Sequence, residues 1–189
     1  MKPTLTILGN DPSLTSWGLA LVEVDIDTLE MNAKAIHLIK TEKSKNKTIR
    51  ASSDKLLRAR KLAMEFSEWE AKANLHAAEI PSGAQSANAA YAFGLVVGVI
   101  SHHRRPLIEV TPTEVKKSVT GYAGASKEEM VEWATTQFPH LDWPKGKKYC
   151  DKFAGDSEHM ADALAIVHTA IRTESFRAAA SMMQSALAA

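Results

Sequence analysis

The chain has 189 residues, 45% hydrophobic and 24% charged, which excludes a disordered chain and is enough for one domain with its own core. Its single cysteine, Cys150, excludes an intramolecular disulfide and fits a reducing compartment, and the net charge of +1 does not by itself indicate a nucleic-acid partner. No signal peptide precedes the first predicted strand, and the longest apolar run, 89–100, is too short to span a bilayer, so we expect a soluble cytoplasmic protein without a membrane partner.

The first predicted element is a hairpin that carries a carboxylate at its turn. Strands are predicted over Thr4–Leu8 and Gly18–Val24, and the Pro-Ser-Leu segment after Asp11 begins the turn. Burying an unpaired charge is costly, so Asp11 is poorly suited to a core. Held on a rigid sheet, it is well suited to binding a divalent cation. This opening resembles that of ribonuclease H-type nucleases and that of actin-like ATPases, and the hairpin alone leaves both classes possible.

A lysine-rich segment follows the third predicted strand, Ala35–Thr41. From Lys40 to Lys61 the chain carries nine basic residues against Glu42 and Asp54, a local charge of +7. Such a segment is either a solvated surface or a contact for nucleic-acid phosphates. Composition alone leaves both interpretations open.

The rest of the chain alternates between helices and strands. Apolar spacing predicts a helix over Ser52–Asn74, with Ser53 and Asp54 as its N-cap. Next come a buried strand at Ala77–Ile80, a helix over Gln85–Ser101 and a strand at Leu107–Val110. Two capped helices follow, one beginning at Pro112 with Thr111 as its cap and one over Lys127–Gln137 capped by Ser126. The chain then continues with an irregular surface loop over Pro139–Lys152, a last core helix over Glu158–Arg172, and a helix-prone tail. This order predicts an α/β domain of three layers around a mixed central sheet.

Three carboxylates and one imidazole fall at the ends of these elements. Asp11 follows the first strand, Glu79 ends a middle strand, and His159 and Asp162 share one face of the last core helix. Oxygen-rich sets of this kind suit divalent cations, and two such ions can activate water and stabilise the leaving oxygen in phosphodiester hydrolysis. Each residue also has an ordinary explanation: a lysine-paired strand end for Glu79, a helix-surface acid for Asp162, and a structural histidine for His159.

Four segments resemble the motifs of the RuvC family of Holliday-junction resolvases, especially its phage-type members, and the match covers Ile7–Thr169. The first is the Gly-x-Asp-Pro opening at 9–18, and the second is 79–94, which matches without gaps the family segment that carries the second acid. The third is a lysine-bearing loop over 115–127, and the fourth is the closing His-Met-Ala-Asp motif that begins at His159. The resemblance implies a ribonuclease H-like three-layer α/β fold over 1–173, with 174–189 as a helical tail.

The same resemblance implies a chemistry and a set of partners. The catalytic and metal-binding residues would be Asp11, Glu79, His159 and Asp162, holding two Mg²⁺ or Mn²⁺ ions per site. A homodimer, with the small-residue helix Ala84–Ile100 as its expected interface, would make paired nicks in four-way junctions and other branched DNA in the bacterial cytoplasm. The resemblance to phage-type members is compatible with a phage-encoded protein. The expected DNA contacts are Lys116 and Lys127 near the scissile phosphate, and Lys117, Ser82, Gln85, Lys43, Lys45, Lys47, Arg50, Arg104 and Arg105.

One position departs from the family pattern. Cellular members carry an aromatic wedge after the second acid, whereas this chain has Ser82, which cannot stack on bases. We therefore expect looser selectivity that extends to replication forks and flaps. Two alternatives are a catalytically inactive protein that binds branched DNA and an actin-like ATPase. The second is disfavoured because Pro12-Ser13-Leu14 is bulkier than a phosphate-binding turn and because the chain has the length of one domain.

Overall fold

A mixed five-stranded sheet is the centre of the fold. The computed structural model describes residues 3–80, 83–84, 86–103, 105–145 and 155–188. The strands are β1 (Thr4–Asp11), β2 (Ser16–Asp25), β3 (Met31–Lys40), β4 (Leu75–Glu79) and β5 (Leu107–Val110). Their spatial order is β3-β2-β1-β4-β5; β1 pairs antiparallel with β2 and parallel with β4.

Helices cover both faces of this sheet. They are α1 (Ala51–Glu70), α2 (Ala87–Ser101), α3 (Pro112–Thr120), α4 (Lys127–Gln137), α5 (Ser157–Ala170) and α6 (Glu174–Ala188). Successive strand residues point to opposite faces, so Ile7 packs in the core beneath α3, α4 and α5, while Leu8 packs beneath α1 and α2. The predicted three-layer α/β architecture with a mixed sheet is confirmed.

The predicted start of α1 is wrong. The helix begins at Ala51 after Arg50, whose side chain makes no cap hydrogen bond, so Ser53 and Asp54 lie inside the first turn. The carboxylate of Asp54 instead accepts a hydrogen bond from the amide of Ser44 at 2.8 Å, which ties the lysine-rich loop to the helix.

The apolar residues whose spacing predicts α1 are only partly buried. Leu62 and Phe66 are fully buried, whereas Leu56 and Leu57 are 55% and 56% exposed. Helix α2 is similar: it contains no charged residue, yet only Val96 and Ile100 are buried. Helices α1 and α2 therefore present a large apolar surface to solvent.

Two segments near the C-terminus pack more closely than the sequence predicts. The described part of the loop after α4 is irregular, as expected, but Leu141 and Trp143 are buried in the core rather than on the surface. The helix-prone tail forms α6, whose Phe176 and Ala180 are also buried. The division into a domain over 1–173 and a tail over 174–189 stays a prediction. Within the described ranges, no helix has both the length and the apolar character to cross a membrane.

Candidate active site

Strands β1 and β4 bring two carboxylates side by side. The strands are parallel, with Asn10 opposite Ala78 in the register, so Asp11 and Glu79 follow at the same edge of the sheet. The side chain of Asn10 braces this edge, because its Nδ2 donates to the carbonyl oxygens of Leu8 and Ala77 at 2.8 and 3.1 Å. This brace was not predicted; its signal in the sequence is an amide residue within an apolar strand.

Two glycines let α5 lie directly on the sheet beside these acids. A β-carbon at Gly9 would overlap the carbonyl oxygen of Ala163, and one at Gly18 would overlap that of His159. Gly18 is also opposite Asp11 in the hairpin register. The absence of a side chain at these positions therefore sets how closely the first turns of α5 approach the end of β1.

His159 contacts Asp11 across this interface. Its Nδ1 lies 2.6 Å from Oδ2 of Asp11, and both side chains are partly exposed. The hydrogen bond to Asp11 raises the pKa of His159 above its ordinary value, although burial acts in the opposite direction. The imidazole thus donates through Nδ1, and the predicted meeting of these two residues is present.

Glu79 and Asp162 complete an acidic cluster. Burial, with a smaller contribution from the charge of Asp11, raises the pKa of Glu79 to about 7. Burial also raises the pKa of Asp162 to about 8, and repulsion from Asp11, Glu158 and Glu79 adds to it. Carboxylates that repel one another in this way are stabilised by a nearby cation.

The donor chemistry of this cluster fits a hard divalent cation, since it consists of three carboxylates and one imidazole. Within the described part of the chain, no group of three or more His, Cys, Asp or Glu side chains already stands in an arrangement that could hold a metal ion. One oxygen of Asp11 is engaged by His159.

Two of the predicted lysines flank the acidic cluster. The charge of Lys116, on α3, acts on Glu79 and lowers its pKa. Lys127, at the start of α4, places its Nζ 2.5 Å from the carboxylate of Glu158, next to His159. The partnership with Glu158 was not predicted, because nothing in the sequence distinguishes this glutamate from a solvated one. Lys117 is exposed on the same helix as Lys116.

The lysine-rich loop leaves the sheet at the edge where Asp11 lies. Residue pairing places Lys40, at the end of β3, opposite Ser16, and the amide of Thr41 donates to the carbonyl of Thr15 at 2.9 Å. Four predicted DNA contacts are exposed in this loop or at the start of α1: Lys43, Lys45, Lys47 and Arg50. Lys40 itself pairs with Asp156 at 2.6 Å, just before α5.

Arg58, which sequence reasoning counted only as one more basic residue, has a different role. Its Nε donates to the hydroxyl of Thr41 at 2.8 Å, and its Nη2 donates to the hydroxyl of Thr15 at 2.8 Å and the carbonyl of Leu14 at 3.2 Å. Its guanidinium also lies 3.9 Å from Asp54. Arg58 thus joins α1 to the turn that follows Asp11.

The structure does not bring every predicted residue to this edge. Arg105 precedes β5 and contacts Glu70 at 4.0 Å, at the opposite edge of the sheet. Ser82, Gln85 and Arg104 lie outside the described residues.

Comparison with known proteins agrees with this architecture. The sequence model of the family described as "Crossover junction endodeoxyribonuclease RuvC" matches residues 7–170. A protein of that name from Rickettsia massiliae is 27% identical over 176 residues, covering 91% of this chain and all of the relative.

Two solved structures have a similar fold. Thermus thermophilus RuvC in complex with a Holliday junction substrate gives a TM-score of 0.64 at 22% identity, covering 87% of this chain and 92% of that one. The Fowlpox virus resolvase, crystallised with substrate Holliday junction DNA, gives a TM-score of 0.52 at 13% identity, covering 86% and 97%. The expected ribonuclease H-like fold is thereby confirmed. Since the family match spans most of the chain, the protein belongs to the RuvC family of crossover junction endodeoxyribonucleases and is a Holliday-junction-resolving enzyme.

Proposed function

We propose that this enzyme cuts four-way junctions and other branched DNA by paired nicks, using Asp11, Glu79, His159 and Asp162 as its catalytic set. The observation that carries this proposal is the convergence of Asp11 with the first turns of α5, with His159 at 2.6 Å and the Asp162 carboxyl close enough for the two acids to repel. Glu79, which ends the neighbouring strand β4, lies at the same sheet edge and supports the proposal.

The cofactors would be two Mg²⁺ or Mn²⁺ ions per site. Asp11 would contact both ions, Glu79 would hold one, and Asp162 with His159 would hold the other. When bound, the ions would supply the Lewis acidity that activates water and stabilises the leaving oxygen. The raised pKa values of Glu79 and Asp162 support a cation here, because ionising both acids together is costly without one.

The side chains of this protein would orient the reacting groups. Asp11 engages Nδ1 of His159, so only Nε2 of that ring is left for a ligand or the attacking water. Lys116, whose charge acts on Glu79, would attract the scissile phosphate. We expect a 5′-phosphate and a 3′-hydroxyl as products.

Phosphate contacts would extend to both sides of the acidic cluster. Lys116, Lys117 and Lys127 lie on the side of α3 and α4. The exposed residues Lys43, Lys45, Lys47 and Arg50 lie on the side of the lysine-rich loop. Lys40 and Arg58 already have partners within the protein. We therefore expect the four exposed residues of the loop, rather than these two, to bind DNA.

A homodimer would use the apolar surface of α1 and α2. Leu56 and Met64 are 55% and 70% exposed, and the groove between the two helices is lined by apolar residues that include Leu95 and Val99. A second copy is the expected occupant, because two cuts on two strands need two sites. Leu95→Glu should give a monomer in light-scattering measurements; an unchanged mass would refute this interface.

The decisive experiment is nicking of an end-labelled synthetic four-way junction with Mg²⁺. Asp11→Asn should abolish cutting yet leave junction binding largely intact, since phosphate contacts supply most of the affinity. Asp27→Asn, an exposed acid in the turn at the opposite sheet edge, is the matched control and should cut normally. Normal cutting by Asp11→Asn would refute the assignment, and a wild-type protein that binds without cutting would support the inactive alternative.

A Y-shaped fork in the same assay tests selectivity. Because Ser82 stands where cellular members carry an aromatic wedge, we expect forks to be cut as well as junctions. Strict preference for the four-way junction would contradict this expectation.

A further inference from the structure

The loop over residues 121–126 links both lysines that flank the acidic cluster. It begins after α3, whose Lys116 acts on Glu79, and ends at α4, whose Lys127 pairs with Glu158 at 2.5 Å. The loop therefore lies between two of the lysines that we propose as phosphate contacts.

The loop exposes one aromatic side chain, Tyr122, which is 63% exposed to solvent. The exposed cations of Lys117 and Lys127 precede and follow it in the chain. An aromatic ring among cations is the usual combination in proteins that bind unpaired nucleotides, because the cations attract phosphates while the ring stacks on a base.

The backbone at Tyr122 is fixed by its neighbours. Its amide donates to the hydroxyl of Thr120 at 3.3 Å, and that hydroxyl donates to the carbonyl of Lys116 at 2.8 Å. The carbonyl of Tyr122 accepts from the amide of Ala125 at 3.4 Å. Gly121, at φ 77°, ends α3 in the left-handed conformation that directs the chain into this loop.

The ring itself rests on a second glycine. A β-carbon at Gly124 would lie 3.0 Å from Cε1 of Tyr122 and would overlap its hydroxyl group. The phenol is therefore supported from beneath, while most of its surface stays in water. A supported, exposed ring costs little conformational entropy when a ligand covers it.

From these observations we propose that Tyr122 stacks on a base that is exposed at a DNA branch point, and that it thereby favours branched DNA over linear duplex. A linear duplex offers no unstacked base face, whereas a branch point interrupts stacking. This inference rests on the proposed DNA contacts of α3 and α4 and adds a residue that determines specificity.

The test compares the affinities of a four-way junction and a linear duplex of equal length, in the Asp11→Asn background so that no DNA is cut. Tyr122→Ala should weaken junction binding about tenfold and leave duplex binding unchanged, whereas Tyr122→Phe should behave as the parent. Lys117→Ala is the matched control: loss of a phosphate contact should weaken both DNAs alike and leave their ratio unchanged.

A second readout reports stacking directly. With 2-aminopurine placed in turn at each branch-point position, its fluorescence should be quenched by the parent and by Tyr122→Phe, but not by Tyr122→Ala. An unchanged affinity ratio in Tyr122→Ala, or equal losses in Tyr122→Phe and Tyr122→Ala, would overturn the proposal. Magnesium-dependent cutting by the otherwise wild-type enzyme tests the proposed function separately, so the two failures are distinguishable.

Discussion

Replacing Gly18 with alanine should separate the two halves of the acidic cluster. The new β-carbon would lie 3.0 Å from the β-carbon of His159 and closer still to its carbonyl group. Ordinary carbon–carbon contacts are about 3.5–4 Å, so the first turns of α5 must move away by on the order of 1 Å. Both His159 and Asp162 are in those turns, and both would move away from Asp11.

The expected effects on activity and stability differ in size. A displacement of about 1 Å among reacting groups costs roughly 100-fold in rate, while overpacking of this kind costs about 1–3 kcal/mol in the free energy of unfolding. The assay is single-turnover nicking of a labelled junction with saturating enzyme and Mg²⁺, with urea unfolding measured in parallel.

Val24→Ala supplies a control of similar stability. Val24 is fully buried in β2 but is paired with Leu5, at the far end of the hairpin from Asp11. Its truncation should cost about 2 kcal/mol and leave the nicking rate of the folded protein unchanged. If Gly18→Ala cuts at the wild-type rate, or if Val24→Ala loses as much activity, close packing at Gly18 does not set the catalytic geometry.

Three further outcomes follow from other contacts. Arg58→Met should cost about 3 kcal/mol of unfolding free energy, because it removes three hydrogen bonds of the guanidinium and its ion pair with Asp54; a loss below about 1 kcal/mol in urea titrations would contradict this role. Relative to His76→Gln, the wild-type protein should also lose stability as pH drops from about 6.5 toward 4, because burial lowers the pKa of His76 to about 4 and the unfolded chain then binds a proton that the folded chain does not. This relative loss is worth about 3 kcal/mol, and urea unfolding of both proteins at pH 7 and pH 4.5 would measure it. Finally, Mg²⁺ should raise the melting temperature of the wild-type protein more than that of Asp162→Asn, because the cation offsets the repulsion at that carboxylate; equal shifts in the two melting curves would place the cation elsewhere.

Much of the fold follows from signals that are local in the chain. The helices α3 and α4 begin where the sequence predicts, since Thr111 with Glu114 and Ser126 with Glu129 form complete capping boxes. Strand β1 could be predicted from its apolar run. Its extension to Asp11 depends on pairing with Gly18, which only the hairpin register specifies.

The acids of the candidate site could be predicted from the sequence, but the residues that support them could not. Asp11 and Glu79 end strands, and strand ends are recognisable in a sequence. The roles of Arg58 and Glu158 depend on partners distant in the chain: Arg58 meets Leu14 across 44 residues, and Glu158 meets Lys127 from another helix. Nothing in the neighbouring residues encodes such pairings, so composition assigned Arg58 to the basic surface.

The hydrogen bond between Asp11 and His159 joins residues 148 positions apart. Contacts of such wide separation form late, because the entropy of closing a long loop must be overcome first. During synthesis, the ribosome releases the β1–β2 hairpin long before α5 exists, so a nascent fragment that ends before α5 has Asp11 but lacks His159 and Asp162.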